Sequence, residues 1–202
     1  MITLPDIRHR LRTHEPPGLP PPAGERRAAV AVILREHAQG PEILFIRRAE
    51  RNGDPWSGHM AFPGGHHDDT DASLTATAVR ETQEEIGLDL QRHGRLLGRI
   101  VHQDASPPSR PNGMLVAPFV FELDHTPQFE LSDEVAGEVW TPLLPIARGE
   151  RHTRQARHGR VGFGHFPGYL LEGDHFVWGL TYRMLHTFLE AVHPSWSPPP
   201  ED

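Results

Sequence analysis

The chain has 202 residues and a formal net charge of −7, and it is 37% hydrophobic and 23% charged. This length and composition fit one globular domain with its own core and argue against disorder throughout. The acidic balance disfavours a nucleic-acid backbone or an anionic membrane as a partner, because both require a basic surface. All 20 basic residues are arginine, which excludes Schiff-base and lysine-nucleophile chemistry.

The residue types that are missing narrow the function further. There is no cysteine, so disulfides, thiolate catalysis and thiolate zinc sites are excluded. The opening segment MITLPDIRHRLR has no seven-residue apolar stretch, and no run approaches 18 apolar residues. We therefore expect neither a secretory signal nor a membrane span, and a cytoplasmic location.

The N-terminal part of the chain predicts a short helix and a linker. Ile2, Leu4, Ile7 and Leu11 repeat at helical spacing, and the following EPPGLPPPAG has a polyproline-like composition. We expect an N-terminal tail with a linker at residues 1–24, a folded domain at residues 25–194 and a C-terminal tail at residues 195–202.

Four apolar runs within the expected domain predict strands. RAAVAVIL and PEILFIRR are separated by a short polar turn, as in a hairpin. RLLGRIVHQ and MLVAPFVFEL predict two further strands, joined by the loop DASPPSRPNG.

Helices are predicted in three places. Residues 72–86 contain neither Gly nor Pro, are rich in Ala and Glu, and are followed by Gly87 at the position of a helix C-terminus. Residues 134–149 predict a short helix, a strand and another helix, and residues 176–193 predict a second long helix. Residues 151–176 predict no definite element. The expected buried face of the second long helix carries Trp178, Thr181, Leu185 and Leu189.

The helix predicted at residues 72–86 carries three carboxylates on one side. Glu81 and Glu85 are one turn apart, with Glu84 beside them. Their mutual repulsion, a few tenths of a kcal/mol per pair, would be offset by a divalent cation such as Mg²⁺, which prefers carboxylate oxygens. The alternative is a solvated acidic surface, but an adjoining apolar stripe places these carboxylates at the edge of the buried face. That stripe is formed by Leu74, Ala78, Val79 and Ile86.

Residues 65–88 resemble the Nudix box, a pattern of Gly, Glu, Arg-Glu, Glu-Glu and Gly at fixed spacing. Asp71 replaces the first Glu of the pattern, and Thr82 stands where an apolar residue is usual. The interval between the first Gly and the Arg is one residue longer than the usual one. The matching positions are Gly65, Arg80, Glu81, Glu84, Glu85, Gly87 and Leu88.

The resemblance implies the fold and the reaction class. It implies an α+β Nudix fold, in which a mixed β-sheet is sandwiched between α-helices. It also implies hydrolysis of a diphosphate bond in a small nucleotide metabolite, with Mg²⁺ or Mn²⁺ as cofactor. In such a reaction the metal neutralises the diphosphate and polarises the attacking water, without a covalent intermediate.

The resemblance also implies roles for individual residues. The positions of Glu81 and Glu85 bind metal in Nudix enzymes, and the Glu84 position adds a ligand or acts through water. Arg80 is expected to orient a carboxylate, and Gly64 to offer a backbone carbonyl to the metal.

A base for the attacking water is expected outside the box. Glu134 is the first candidate for this base and Glu138 the second. For each, the alternative is an ordinary exposed Glu on a short helix.

The substrate is expected from a resemblance to the coenzyme A diphosphatase branch. The longer box interval, with Asp68 and Asp71, and the Trp-Gly-x-Thr sequence in FVWGLTYRML are similar to that branch, whereas Asp54 and His59 depart from it. We expect coenzyme A or a short acyl derivative to be cut to 3′,5′-ADP and a 4′-phosphopantetheine product. ADP-ribose, dinucleoside polyphosphates and nucleoside triphosphates are alternative substrates, while the missing cysteines disfavour a zinc-ribbon NADH diphosphatase.

Arginines just before the catalytic loop are candidates for binding the substrate. Arg47, Arg48 or Arg51 could hold a 3′-phosphate through a bidentate contact, and the alternative is an exposed basic strand end. Trp56 could stack on a base, but we expect it to anchor its loop to the core, and we expect Trp178 to be a core residue.

The run His66, His67, Asp68 and Asp69 contains residue types that bind zinc. Adjacent side chains on a loop seldom converge on one metal, so a solvated turn is favoured here.

Two other classes of function are open. One is a non-catalytic Nudix module that senses a nucleotide, although such modules usually lose box carboxylates. The other is a scaffold that recruits partners through its Pro-rich tails. A homodimer would follow only by analogy.

Overall fold

The computed structural model describes residues 2–19, 26–51, 56–105, 113–159 and 162–200. The helices are α1 (Leu4–Thr13), α2 (Leu74–Ile86), α3 (Leu90–His93), α4 (Leu143–Ala147) and α5 (Gly179–Val192). The strands are β1 (Arg26–Arg35), β2 (Glu42–Arg48), β3 (Met60–Ala61), β4 (Gly64–His66), β5 (Gly94–Arg99), β6 (Gln103–Asp104), β7 (Met114–Leu123), β8 (Val135–Pro142), β9 (His152–Gly159), β10 (Gly162–Leu170) and β11 (Phe176–Trp178).

The main sheet is mixed, as the sequence predicted. Its strand order is β3-β2-β1-β7-β5, with β4 paired to β1, β6 to β7 and β8 to β2. Strands β1 and β7 run parallel, and the other pairs are antiparallel. A second, three-stranded sheet has the strand order β11-β10-β9, and its strands follow those of the main sheet in the sequence.

Helices cover both faces of the main sheet because β1 is apolar on both sides. Ala29, Ala31 and Ile33 face the core that α2 shares. Val30 and Val32 belong to the other core, which includes buried residues of α1 and α5. This arrangement of a mixed sheet between helices confirms the predicted α+β class.

Local signals account for the length of α2. The Ser73 hydroxyl accepts a hydrogen bond from the N–H of Ala76 at the N-terminus, and Gly87 takes a left-handed conformation (φ 68°) at the C-terminus. Thr82, unusual at its position, is fully buried and donates its hydroxyl to the carbonyl of Ala78 at 2.7 Å. It therefore fits a buried position without an unsatisfied polar group.

Long-range pairing overrides local preference in the C-terminal half. The short helix predicted at the start of residues 134–149 is wrong, because this segment forms β8 and pairs with β2 over most of its length. The segment 151–176, which predicted no element, contains the β9–β10 hairpin. The second long helix begins at Gly179, because residues 176–178 form β11.

The N-terminal helix is an integral part of the packing. The predicted helix is confirmed, and its apolar residues Leu4, Ile7 and Leu11 are buried in the core. Arg8 donates two hydrogen bonds to the buried Glu122 on β7, at 2.8 and 2.6 Å, and Arg95 donates a third at 2.6 Å. Although residues 1–24 were expected to form a tail, the helix within them is packed on the domain. The domain boundary near Glu25 stays a prediction, since residue 25 lies outside the described residues.

Ile7→Ala is expected to lower the free energy of unfolding by about 2–5 kcal/mol, because the Ile7 side chain is fully buried and its removal leaves a cavity. Arg10→Ala, on the exposed side of the same helix, is the control. Denaturant unfolding of both variants measures the difference. Equal stabilities would mean that α1 is not packed on the domain in solution.

A buried aromatic cluster lies between the second sheet and α5. The ring of His186 lies 3.9 Å from that of Tyr182 and 4.9 Å from that of Trp196, and its Nε2 is buried without a hydrogen-bond partner among the described residues. Burial, with a smaller contribution from His152, lowers the pKa of His186 to about 4. His186 is therefore neutral in the folded protein near neutral pH.

This lowered pKa predicts a loss of stability in acid. Between about pH 6.5 and pH 4 the unfolded chain binds a proton at His186 that the folded protein does not, so stability falls as the pH falls through this window. We expect His186→Leu to remove about 1–3 kcal/mol of this decrease. Unfolding profiles of both proteins against pH measure the difference, and parallel profiles would contradict the assignment.

Among the described helices, none has the length and apolar character needed to cross a bilayer.

Candidate active site

Helix α2 places its three carboxylates in three different environments. Glu85 is buried (5% exposed), the Glu81 side chain is largely covered, and that of Glu84 is exposed. Glu85 accepts a hydrogen bond from the N–H of Gly64 at 2.8 Å. Burial raises the pKa of Glu85 to about 7, although this hydrogen bond opposes the increase. Burial also raises the pKa of Glu81.

Two glycines bring the loop backbone close to these carboxylates. Gly64 has φ 148°, and a Cβ there would lie 2.3 Å from the carbonyl oxygen of Ala29 on β1. A Cβ on Gly65 would lie 2.5 Å from the Glu81 carboxylate. A side chain at Gly64 would collide with the backbone of β1, and one at Gly65 would require the Glu81 carboxylate to move, so the two glycines allow this close packing.

Arg80 is bonded to most of the acidic groups around it. It donates to both carboxylate oxygens of Asp71 at 2.9 Å, and to Glu81 and Glu84 at 3.0 Å each. A further bond reaches the carbonyl of His66 at 3.0 Å. Hydrogen bonding with Arg80 holds the pKa of Asp71 well below its usual range, and the same contacts raise the pKa of Arg80.

Two of the three departures from the box pattern are found at or next to Asp71. Its side chain, which replaces Glu, still forms a bidentate pair with Arg80 and accepts a hydrogen bond from Thr77 at 2.8 Å. The N–H of Asp71 donates to the carbonyl of Asp68, and the Asp68 side chain accepts from Thr70, so residues 68–71 form a turn. This turn lies within the interval that contains the extra residue.

The loop before β8 brings Glu134 to the C-terminal end of α2. The N–H of Ser132 donates to the carbonyl of Glu85 at 2.9 Å, and the N–H of Ala49 donates to the carbonyl of Glu134 at 2.8 Å. The charge of Glu134 contributes to the raised pKa of Glu85. Glu134 lies in a turn and Glu138 lies on β8 opposite Ile46, so neither is on the predicted short helix.

The three candidate arginines do not form one binding group. Arg47 is exposed on β2, and Arg51 donates to Glu134 at 3.0 Å. Arg48 is half-buried, and its charge lowers the pKa of Glu85, which places it near the acidic site.

The Trp-Gly-x-Thr sequence links α5 to the strand that precedes the glycine pair. Gly179 has φ 63° where β11 gives way to α5, and the Thr181 hydroxyl donates to the carbonyl of Met60 at 3.1 Å. The Trp178 ring is half-buried and lies 4.9 Å from the ring of His59. Trp178 was expected to be a core residue, and it is only partly buried.

The remaining sequence predictions concern Trp56, the two adjacent histidines and two loops. Trp56 is 43% exposed, and its expected role as the anchor of its loop stays a prediction. His66 contacts Arg26 and His67 contacts Thr77, so the two rings have different partners. Asp54 and most of the DASPPSRPNG loop lie outside the described residues.

Within the described ranges, no group of three or more His, Asp or Glu side chains is already arranged to hold a metal ion. Arg80 binds one oxygen of each of the Glu81 and Glu84 carboxylates. The other oxygen of each carboxylate is not bonded to Arg80.

Comparisons with known proteins agree with this geometry. The family model of the NUDIX domain matches residues 24–161. An uncharacterised protein of Schizosaccharomyces pombe is 33% identical over 91% of this chain, and the chain spans only 62% of that relative's length. The uncharacterised Nudix hydrolase NudL of Pectobacterium atrosepticum is 30% identical, with 92% of each chain covered. The crystal structure of a C. elegans Ap4A hydrolase shares the fold, with a TM-score of 0.50 at 22% identity over 62% of this chain and 85% of that one.

Proposed function

This chain belongs to the Nudix family, and on that premise we propose that it cleaves the diphosphate bond of coenzyme A or a short acyl derivative. It is a Nudix hydrolase, an enzyme that acts on nucleotide diphosphates. The proposed products are 3′,5′-ADP and a 4′-phosphopantetheine compound. The observation that carries the reaction is the buried Glu85 beside Glu81, packed against the backbone of Gly64 and Gly65.

The residues present suit Mg²⁺ or Mn²⁺. Glu81, Glu84 and Glu85 supply carboxylate oxygens, and we assign the Gly64 carbonyl as a further ligand. The raised pKa of Glu85 supports the assignment, because a buried carboxylate is stabilised in its charged form by a nearby cation. When bound, the metal neutralises the diphosphate and polarises the attacking water.

Arg80 and Glu134 take the other proposed roles. Arg80, fixed by its bidentate pair with Asp71, orients the Glu81 and Glu84 carboxylates. Glu134 accepts the proton of the attacking water. Its loop is held at the end of α2 by the hydrogen bond from the N–H of Ser132 to the carbonyl of Glu85, which supports this role. Glu138 is the second candidate for the base. Water attacks directly, so no side chain is modified during turnover.

The choice of coenzyme A is supported by resemblance and by one structural link. Thr181 of the Trp-Gly-x-Thr sequence bonds the carbonyl of Met60, which joins α5 to the segment that leads into Gly64. The motif thus contributes to the position of the catalytic loop. Of the three candidate arginines, Arg47 is exposed and is the first choice for binding the 3′-phosphate, because Arg51 is paired with Glu134.

A substrate panel tests the proposed function. Coenzyme A, dephospho-coenzyme A, ADP-ribose, NADH, diadenosine polyphosphates and nucleoside triphosphates are each incubated with Mg²⁺ or Mn²⁺, and the products are resolved by chromatography. We expect the highest kcat/KM with coenzyme A or an acyl derivative. If coenzyme A is inert while another compound turns over, the substrate assignment is wrong. Equal cleavage of coenzyme A and dephospho-coenzyme A would show that no arginine recognises the 3′-phosphate.

A further inference from the structure

A cavity of about 390 Å³ lies at the start of α2, at the opposite end of the helix from Glu85. Positions 73 and 85 are about 18 Å apart along the helix axis. Three basic side chains line the cavity, those of Arg27, His67 and Arg99, and no carboxylate residue is among the described residues that line it. In a chain with a net charge of −7, such a basic cavity favours an anionic occupant.

The positive charge of Arg99 is partly withdrawn from water. Its guanidinium donates to the carbonyls of Pro17 at 2.8 Å and Ile100 at 3.4 Å, and no carboxylate of the described chain forms an ion pair with it. Burial lowers the pKa of Arg99. The pKa values of His14 and His102 are also lowered, first by burial and then by the charge of Arg99. The potential around Arg99 is therefore positive and not neutralised by a neighbouring acid.

The backbone adds hydrogen-bond donors to this cavity. Leu74 and Thr75 line it and belong to the first turn of the 13-residue helix α2, where N–H groups have no acceptor within the helix. The Ser73 hydroxyl is already bonded to the N–H of Ala76. An oxyanion with several acceptor oxygens matches two arginines and these amides better than a halide does.

We propose that this cavity is a binding site for a phosphate group, either free inorganic phosphate or the phosphate of a nucleotide monoester. His67 connects the site to the catalytic box. Its Nδ1 lies 2.8 Å from the hydroxyl of Thr77, which donates to Asp71 at 2.8 Å, and Asp71 forms the bidentate pair with Arg80. A phosphate in the cavity therefore lies one chain of hydrogen bonds away from the residue that holds the catalytic carboxylates.

Calorimetric titration with sodium phosphate in the presence of EDTA tests the proposal. Turnover is absent under these conditions, so the result is independent of the proposed function. We expect saturable binding that potassium chloride at equal ionic strength does not reproduce. Arg27→Gln and Arg99→Gln should each weaken binding by about tenfold or more, since each removes a charged hydrogen-bond donor. Arg92→Gln, an exposed arginine on α3, is the matched control and should bind as the unaltered protein does.

Two variants keep the test decisive. Arg99 also bonds the Pro17 carbonyl, so Arg99→Gln alone would not separate loss of phosphate binding from loosening of that segment, and Arg27→Gln on β1 is the second variant. Titration with AMP and with 3′,5′-ADP distinguishes a site for free inorganic phosphate from a site for the phosphate of a nucleotide monoester. Binding of inorganic phosphate would identify a free anion site, and binding of the nucleotides alone, weakened by Arg27→Gln and Arg99→Gln, would identify a monoester site. If none of the three saturates, or if both variants bind as tightly as the control, the proposal is wrong.

Discussion

Glu85→Gln is expected to lower kcat by about 100-fold or more while the protein stays folded. The amide cannot supply the anionic oxygen that Mg²⁺ prefers, and loss of metal stabilisation of the transition state costs several kcal/mol. The fold should tolerate the change, because the Gln carbonyl can still accept the hydrogen bond from the N–H of Gly64. Burial of Glu85, which raises its pKa to about 7, means that its charge is unfavourable in the metal-free protein. The melting temperature without metal should therefore be unchanged or slightly higher.

The matched control is Glu190→Gln, an exposed carboxylate on α5 away from the site. Steady-state kinetics at saturating Mg²⁺ and thermal melting in EDTA are measured on both variants. Unaltered turnover in Glu85→Gln would refute its assignment as a metal ligand. A low turnover that comes with a collapsed melting temperature would instead show that Glu85 acts through the fold.

Gly64→Ala is expected to lower the free energy of unfolding by about 2–5 kcal/mol and to reduce turnover strongly. The added Cβ would lie 2.3 Å from the Ala29 carbonyl oxygen and 2.5 Å from the Cα of Val30, and these backbone atoms cannot move without distorting β1. The φ of 148° adds strain for any residue other than glycine. Because the N–H of Gly64 bonds Glu85, displacement of this backbone also displaces the carboxylate.

Gly137→Ala on β8 is the control, because a Cβ at Gly137 meets no atom within 4 Å. It should change stability by less than about 1 kcal/mol. Denaturant unfolding and kinetics are measured on both variants. If Gly64→Ala were as stable and as active as Gly137→Ala, the close approach of the loop to β1 would not exist in solution.

Helix α2 could be predicted from sequence because its signals are local. Its alanine-rich composition, the terminal Gly87 and the spacing of Glu81 and Glu85 all lie within or beside the helix. Strands β1, β2, β5 and β7 of the main sheet were also predicted, since each lies in an apolar run.

Other features depend on contacts between distant segments, and the sequence could not reveal them. Residues 135–142 have a strand partner in β2, almost a hundred positions away, which overrides a weak helical preference. An amphipathic helix at residues 4–13 has the same pattern whether it is free or packed, so the sequence did not predict the contact of Arg8 with Glu122. The burial of Glu85 likewise depends on the Gly64 loop, which the residue pattern of the helix does not predict.

The most direct test of the central claim is cleavage of coenzyme A in ¹⁸O-labelled water, first in EDTA and then after addition of excess Mg²⁺, with the products resolved by mass spectrometry. We predict no products in EDTA. After addition of Mg²⁺ we predict 3′,5′-ADP and 4′-phosphopantetheine in equal amounts, with one ¹⁸O atom in one of the two. Bound but uncleaved nucleotide with every substrate of the panel would identify a sensor instead, and equal product formation with and without the metal would contradict the carboxylate site on α2.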